Sequence, residues 1–236
     1  SRIMQDKCSG VFYHPVNFGE AENYFSGVWD DPDKYGAIPR KAFIVRTAPM
    51  DKNGYFNFGM HNSVTYAQIK SARNVIVEVN TNIPVCLGGA REQVHISEVD
   101  YIVESENEPL FALPSVEPSE VDRKIAEHVM YHIQDGCCIQ LGIGAMPNLV
   151  GKMINQTDLK DLGGHTEMLV DGFVDMVEAG RVTGMKKNLD KGRMAYSFAA
   201  GSQKLYDFMK ENPSIAAYPV DYTNHPFIAS KIDRLM

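Results

Sequence analysis

The chain has 236 residues, 44% of them hydrophobic, a net charge of -7 and a pI near 5.5. This acidity excludes a nucleic-acid surface, and basic pairs such as Arg40-Lys41 and Lys186-Lys187 are too short for a polybasic patch. No apolar run approaches the roughly 18 residues of a membrane span, and the polar start Ser1 to Asp6 is unlike a signal peptide.

The four cysteines, Cys8, Cys86, Cys137 and Cys138, lack any CxxC or Cys/His ligand spacing. They read as small apolar filler and as free thiols in a reducing cytoplasm. The chain opens at Ser1 and stops at Leu235-Met236 without a cap or polar tail. Both ends read as cut.

In chain order, residues 1 to 36 are aromatic and turn-rich, with one short strand expected at Gly10–Tyr13 and a helical turn from Phe18 to Tyr24. Lys41 to Ala48 is a continuous β-branched and aromatic run of the kind buried in a parallel sheet. Asn53-Gly54 signals a hairpin turn before Tyr55 to Phe58. His61 to Ser71 has helical spacing, and Asn74 to Asn80 is a second buried strand. Val94 to Ile96 and Glu98 to Val103 complete the first half as short strands.

Three prolines, Pro109, Pro114 and Pro118, crowd the next stretch and place a domain boundary near residues 110 to 118. Ser119 then caps a helix to Ile133, with Val121, Ile125, His128, Val129 and His132 on one face. Cys137 to Leu141 is strand-like and enters a Gly142-Ile143-Gly144 turn. Pro147 suits a first helical position, opening a helix over Asn148 to Ile154. Gly163 to Thr166 makes a poor strand by propensity. Phe173 to Ala179 is helical and closes at Gly180. Met194 to Phe198 is a strand, Ser202 to Lys210 a helix, and Tyr218 to Tyr222 a strand. His225-Pro226 opens a last helix expected to reach Met236. Alternation of this kind predicts an α/β fold of two open, mostly parallel sheets with flanking helices. The expected division is 1–115, the later part of a first domain, and 116–236, the first part of a second.

The stretch from Cys137 to Gly172 carries the chemistry. A strand, a Gly-x-Gly turn and a helix start aim backbone N–H groups at one point. On its own this turn is equally a plain strand-to-helix connection. A dinucleotide reading fails because Pro147 stands where the third glycine belongs. Glu167 follows two glycines and precedes the apolar Met168-Leu169-Val170. A carboxylate at the edge of an apolar core is partly desolvated and becomes a nucleophile if donors hold it. The competing reading is a solvated surface glutamate. His165 is a base or orienting donor, or a hydrogen-bonded loop histidine. Gln140, at the end of its strand, points at the crevice where open α/β sheets bind ligands, or is a satisfied amide. His128 and His132 have i, i+4 spacing but no third ligand, so no metal site is expected.

The segments QLGIGAMPN, GGHTEMLVDG, LDKGRMAYSFAAGSQKLYDF and YPVDYTNHP, with PMDKNGYFNFG and AREQVHISEVD before them, resemble the family I coenzyme A transferases. The resemblance is strongest to the 4-hydroxybutyrate and butyryl-CoA:acetate branch of the acetyl-CoA hydrolase/transferase superfamily. It implies the CoA-transferase/isomerase-like fold, incomplete here at both ends. It makes Glu167 the nucleophile of a G-x-H-[ST]-E-M segment. It implies catalytic roles for Gln140 and for the Ile143 amide, and coenzyme A binding by Gly142, Ile143, Gly144, Ala145 and Met146. The implied reaction moves coenzyme A between a short-chain acyl-CoA and a carboxylic acid such as acetate, through a glutamyl-CoA thioester and without metal. A hydrolase with the same glutamate is the alternative. A non-catalytic relative on the related isomerase-like fold, sensing a sugar phosphate, is a third reading. The resemblance further implies a homo-oligomer and additional N- and C-terminal portions of the same protein, with no nucleic acid or membrane as partner.

Overall fold

The computed structural model describes residues 15–25, 42–114 and 116–236. The expected strand at Gly10–Tyr13 lies outside them. Phe18–Glu20 is a 3-10 turn running into helix α1 (Ala21–Phe25).

The first sheet is parallel, in the order β1 (Phe43–Thr47), β3 (Val75–Val79) and β5 (Tyr101–Glu104). Helix α2 spans Thr65–Ser71. The turn at Asn53-Gly54 forms as its sequence requires, with Gly54 at φ +87° and Asp51 Oδ1 accepting from the amides of Asn53 and Tyr55. Its following strand β2 (Tyr55–Asn57) pairs antiparallel with β4 (Gln93–His95), a partner distant in sequence. Ile96–Glu98 is a 3-10 turn rather than strand. All four residues of the edge strand β5 are exposed, and Ile44 of β1 is exposed with them.

Helix α3 (Glu120–Met130) starts at Ser119, whose hydroxyl and the Asp122 carboxylate form a complete capping box. The apolar face expected from Val121 and Ile125 is turned to solvent. The packed side carries Ala126, Val129 and Met130, with Ile133 buried just past the helix end. Alanine allows the helix to lie close to its neighbour, so shape outweighs the larger side chains.

The second sheet is wholly parallel, in the order β6 (Cys138–Ile139), β7 (Gly163–Leu169), β8 (Met194–Ala199) and β9 (Ile215–Ala217). Helices α4 (Ala145–Asn155), α5 (Asp171–Glu178) and α6 (Gln203–Met209) connect these strands. Their buried faces close one core with Ile139, Leu141, Met194, Tyr196 and Ile215. Cys86, Cys137 and Cys138 are free and buried. Burial pushes the Cys138 thiol up to about 11, so it stays protonated near neutrality.

Four further expectations are corrected. Helix α4 starts at Ala145, which makes Pro147 its third residue. A proline is still tolerated there, because first-turn amides have no partner inside the helix. Gly163 to Thr166 is a true strand. Its glycines are required by close neighbours: a Cβ on Gly163 would lie 2.5 Å from Lys187 Cγ, and one on Gly164 2.8 Å from Met194 Cγ. Tyr218 to Tyr222 is not a strand. β9 ends at Ala217, and Val220–Thr223 is a short helix, α7, behind Pro219. The last helix, α8, covers only Pro226–Ala229. Arg234 to Met236 instead run alongside β6, with Cys138 N donating to Arg234 O at 3.0 Å and Met236 N to Cys138 O at 2.8 Å.

The first half docks on the second sheet through backbone. Met60 to Ser63 runs along the free edge of β8 beyond β9, with Ala199 N donating to Met60 O and Ser63 N to Ser197 O. Ala48, Met60, Ile83 and Cys86 enter the second core. No helix among the described residues is long and apolar enough to cross a membrane.

Phe173 of α5 is a large side chain fully buried in this core. Phe173→Ala is expected to cost about 3–5 kcal/mol of unfolding free energy in a urea titration. A loss below about 1 kcal/mol would contradict the packing described.

Candidate active site

The carboxyl ends of β6, β7 and β8 form the crevice where open parallel sheets present their ligands. β6 pairs with β7 through Cys138↔Gly163 and Ile139↔Gly164. Carried forward, this register sets Gly142 beside Glu167, and Thr166 Oγ1 still reaches Leu141 O at 3.3 Å. Thr166 lies on the helix-covered face with Leu141. Alternation therefore turns His165 and Glu167 to the opposite face.

On that face stands α7. His165 Nε2 lies 3.0 Å from the carbonyl of Thr223. A carbonyl only accepts, so Nε2 carries the proton and Nδ1 bears the lone pair. Thr223 Oγ1 donates to Asn224 Oδ1 at 3.0 Å, which orients the amide so that its Nδ2 faces Glu167. Asn224 Nδ2 donates to Glu167 Oε2. Glu167 itself is half-buried.

The helix is braced from below. Asp190 accepts from Tyr218 Oη at 2.6 Å and Tyr222 Oη at 2.8 Å, and the two rings stack at 4.0 Å. Burial, and then the bond to Asp190, raise both phenols, Tyr218 to about 12. Lys187 is buried beneath β7 and donates to Gly164 O at 2.7 Å and Arg193 O at 2.6 Å.

The glycine turn follows β6 and leads into α4. Gly144 is the residue before α4, at φ +117°, and no side chain caps this helix. A Cβ on Gly144 would meet nothing within 4 Å, so the glycine serves conformation rather than space. Ile143 is 62% exposed. Ile143, Gly144 and Ala145 line a cleft of about 690 Å³, together with Pro114, Arg123 and Lys152 among others. The Asp171 carboxylate, also in this cleft, accepts from Ser202 N and Oγ and so caps α6.

The structure thus brings Ile143, Gly144 and Ala145 into one cleft, whose lining does not include Glu167, and the β6–β7 register runs toward Gly142 and Glu167. Met146 packs on the core. Gln140 is exposed, and its backbone N–H donates to Met236 O at 2.9 Å. His128 and His132 are exposed on α3, and no group of residues that could hold a metal ion occurs among the described residues. Sequence reasoning missed Asn224. It lay just past a segment read as a strand, and only the α7 turn and the pairing of β7 bring it to Glu167.

Comparison with known proteins decides the family. Residues 17–114 match the acetyl-CoA hydrolase/transferase N-terminal domain, and residues 201–236 match the C-terminal domain of the same name. The chain belongs to the acetyl-CoA hydrolase/transferase family. Glu167 and the glycine turn lie between the two matched stretches, within the alignment to curated relatives. The chain is 46% identical over 226 residues to the butyryl-CoA:acetate CoA-transferase of Anaerostipes caccae, covering 95% of this chain and 49% of that one. It is 37% identical over 224 residues to the 4-hydroxybutyrate coenzyme A transferase of Clostridium kluyveri, again 95% and 49%. It spans about half the length of these relatives. Among solved family structures, RipA from Yersinia pestis superposes with a TM-score of 0.86 at 36% identity, over 99% of this chain and 52% of that one. The 4-hydroxybutyrate CoA-transferase from Porphyromonas gingivalis gives 0.84 at 32%, over 99% and 57%.

Burial lowers the pKa of His165, helped by Lys187 and opposed by its bond to Thr223 O and by Asp190. Burial lowers His61 likewise. A depressed imidazole is neutral when folded and takes up its proton only on unfolding. Its stabilisation is therefore full above the ordinary value of about 6.5 and is lost as the pH falls below it. Urea titrations at pH 7.5 and 5.5 are expected to show lower stability at the acid end, with a smaller difference in His165→Gln. An unchanged difference in that variant would contradict a buried neutral His165.

Proposed function

We propose that this protein transfers coenzyme A between a short-chain acyl-CoA and a carboxylate acceptor of the acetate type, with Glu167 as nucleophile. The observation that carries this is the half-buried Glu167 carboxylate, held by the Asn224 amide. The names of the family relatives support the reaction class.

The Glu167 carboxylate attacks the thioester carbonyl carbon. The carbonyl pair moves to oxygen, where the Ile143 amide at the exposed turn is the donor in this reading, with Gln140 close to the forming oxyanion. Collapse expels the CoA thiolate and leaves an acyl-glutamyl anhydride. The thiolate then attacks the glutamyl carbon and releases the acyl group as its carboxylate, leaving a glutamyl-CoA thioester. An acceptor carboxylate runs the two steps in reverse. Coenzyme A is a co-substrate here, and the residues Gly142 to Met146 with their cleft are assigned to it. Binding of its long arm supplies energy to the chemical steps. Asn224 keeps the carboxylate aimed, which a free rotor at a strand end would not be. The buried free thiols suit a reducing compartment, and we assign the cytoplasm as part of the same reading.

Water as acceptor would turn the same chemistry into hydrolysis, so the decisive assay supplies both butyryl-CoA and acetate. The full-length protein is expected to yield acetyl-CoA without accumulating free thiol, and Glu167→Ala to lose more than about a thousandfold of that rate. Thiol release indifferent to acetate would favour the hydrolase, and a Glu167→Ala rate within tenfold of wild type would end the proposal.

A further inference from the structure

Ser197 is fully buried in the middle of β8, and its Oγ has no hydrogen-bond partner. A buried hydroxyl left unpaired costs about 1–3 kcal/mol, and alanine would fill the same space without that cost. The neighbours of Ser197 say where the hydroxyl is directed. Thr166↔Tyr196 and Met168↔Phe198 are paired in register, so Glu167 and Ser197 are side by side on adjacent strands. Tyr196 shares the helix-covered face with Thr166, and alternation puts Ser197 on the face of Glu167. On that face Glu167 Oε2 already accepts from Asn224. The backbone carbonyl of Ser197 is taken by Ser63 N at 3.0 Å, which leaves the hydroxyl free to rotate.

We propose that Ser197 Oγ–H is a second donor, beside Asn224 Nδ2, to the carboxyl oxygen that stays on Glu167 during transfer. This rests on the reading of Glu167 as the nucleophile. In the step that forms the glutamyl thioester, sulfur bonds to the glutamyl carbon and the carbonyl pair moves onto that oxygen. When the pair returns, the bond to the acyl oxygen breaks and the acyl group leaves as carboxylate. The oxygen is most negative between those two events, and one amide donor is then too few. A hydroxyl held in reserve one strand away meets the need without moving the backbone, and it is unpaired only while the carboxylate is at rest. Asn62 Oδ1, buried and also unpartnered, is the competing acceptor for the same proton.

The test is Ser197→Ala in the full-length protein. Expected is a kcat lower by about tenfold to a hundredfold at an unchanged KM for acyl-CoA, with the covalent adduct on Glu167 forming correspondingly more slowly in a single turnover. The melting temperature is expected to hold or rise. A kcat within about twofold of wild type would overturn the role, and so would a melting temperature lower by more than about 5 °C, which would assign the hydroxyl a structural role. If the wild-type protein itself forms no adduct on Glu167, the nucleophile reading fails and takes this inference with it. A normal adduct with an indifferent Ser197→Ala defeats this inference alone.

Discussion

The parallel pairing of β7 between β6 and β8 fixes everything around the site. Side chains alternate along a strand, so a slip of one residue would carry Glu167 from the open face to the helix-covered one. There it would replace Thr166 against Leu141 in an apolar core, where an unpaired carboxylate is strongly disfavoured. The register is pinned at its lower end by absence of side chains. Gly163 and Gly164 admit Lys187 from one face and Met194 from the other, at approaches no Cβ would permit. It is pinned at its upper end by Thr166, whose hydroxyl reaches back to Leu141 O and to Met168 O at 2.8 Å. The face that Glu167 occupies thus follows from strands that are in step.

A second constraint is the short helix α7. Four residues cannot stabilise a helix alone, so its position comes from what it touches. Tyr222 binds Asp190, the neutral His165 binds the Thr223 carbonyl, and Thr223 orients the Asn224 amide. Each bond is modest, and the two that anchor the helix, to Asp190 and to His165, join residues far apart in sequence. Their combined effect is to hold one amide group against Glu167. The neutrality of His165 matters here, since a charged imidazole would have to be accommodated beside the buried Lys187.

Much of the fold was legible because strong local signals agreed with it. The runs at residues 43–47 and 75–79 are apolar and β-branched, and Ser119 with Asp122 announces a helix start. Gly180, at φ +70°, closes α5 as expected. The failures share a cause: tertiary contacts overrode local preference. Glycines at 163 and 164 argue against a strand until Lys187 and Met194 are seen beside them. Tyr218 and Tyr222 look like strand residues, yet they stack on each other and point at Asp190. In α3 the small Ala126 was packed and the larger Val121 and Ile125 were left outside. Of the site, Glu167 and the turn from Gly142 to Met146 could be nominated from residue chemistry and family resemblance. Asn224 and Ser197 could not, since a shared face and a shared register are properties of the folded sheet alone.

The central claim is that the carboxylate of residue 167 becomes covalently joined to coenzyme A. Borohydride reduces a glutamyl thioester to the alcohol, and peptide mapping by mass spectrometry then locates it. After incubation of the full-length protein with an acyl-CoA, the reduced side chain is expected at Glu167 and at no other acid. Reduction at a different residue, or none in a preparation that is transferring coenzyme A, would contradict it.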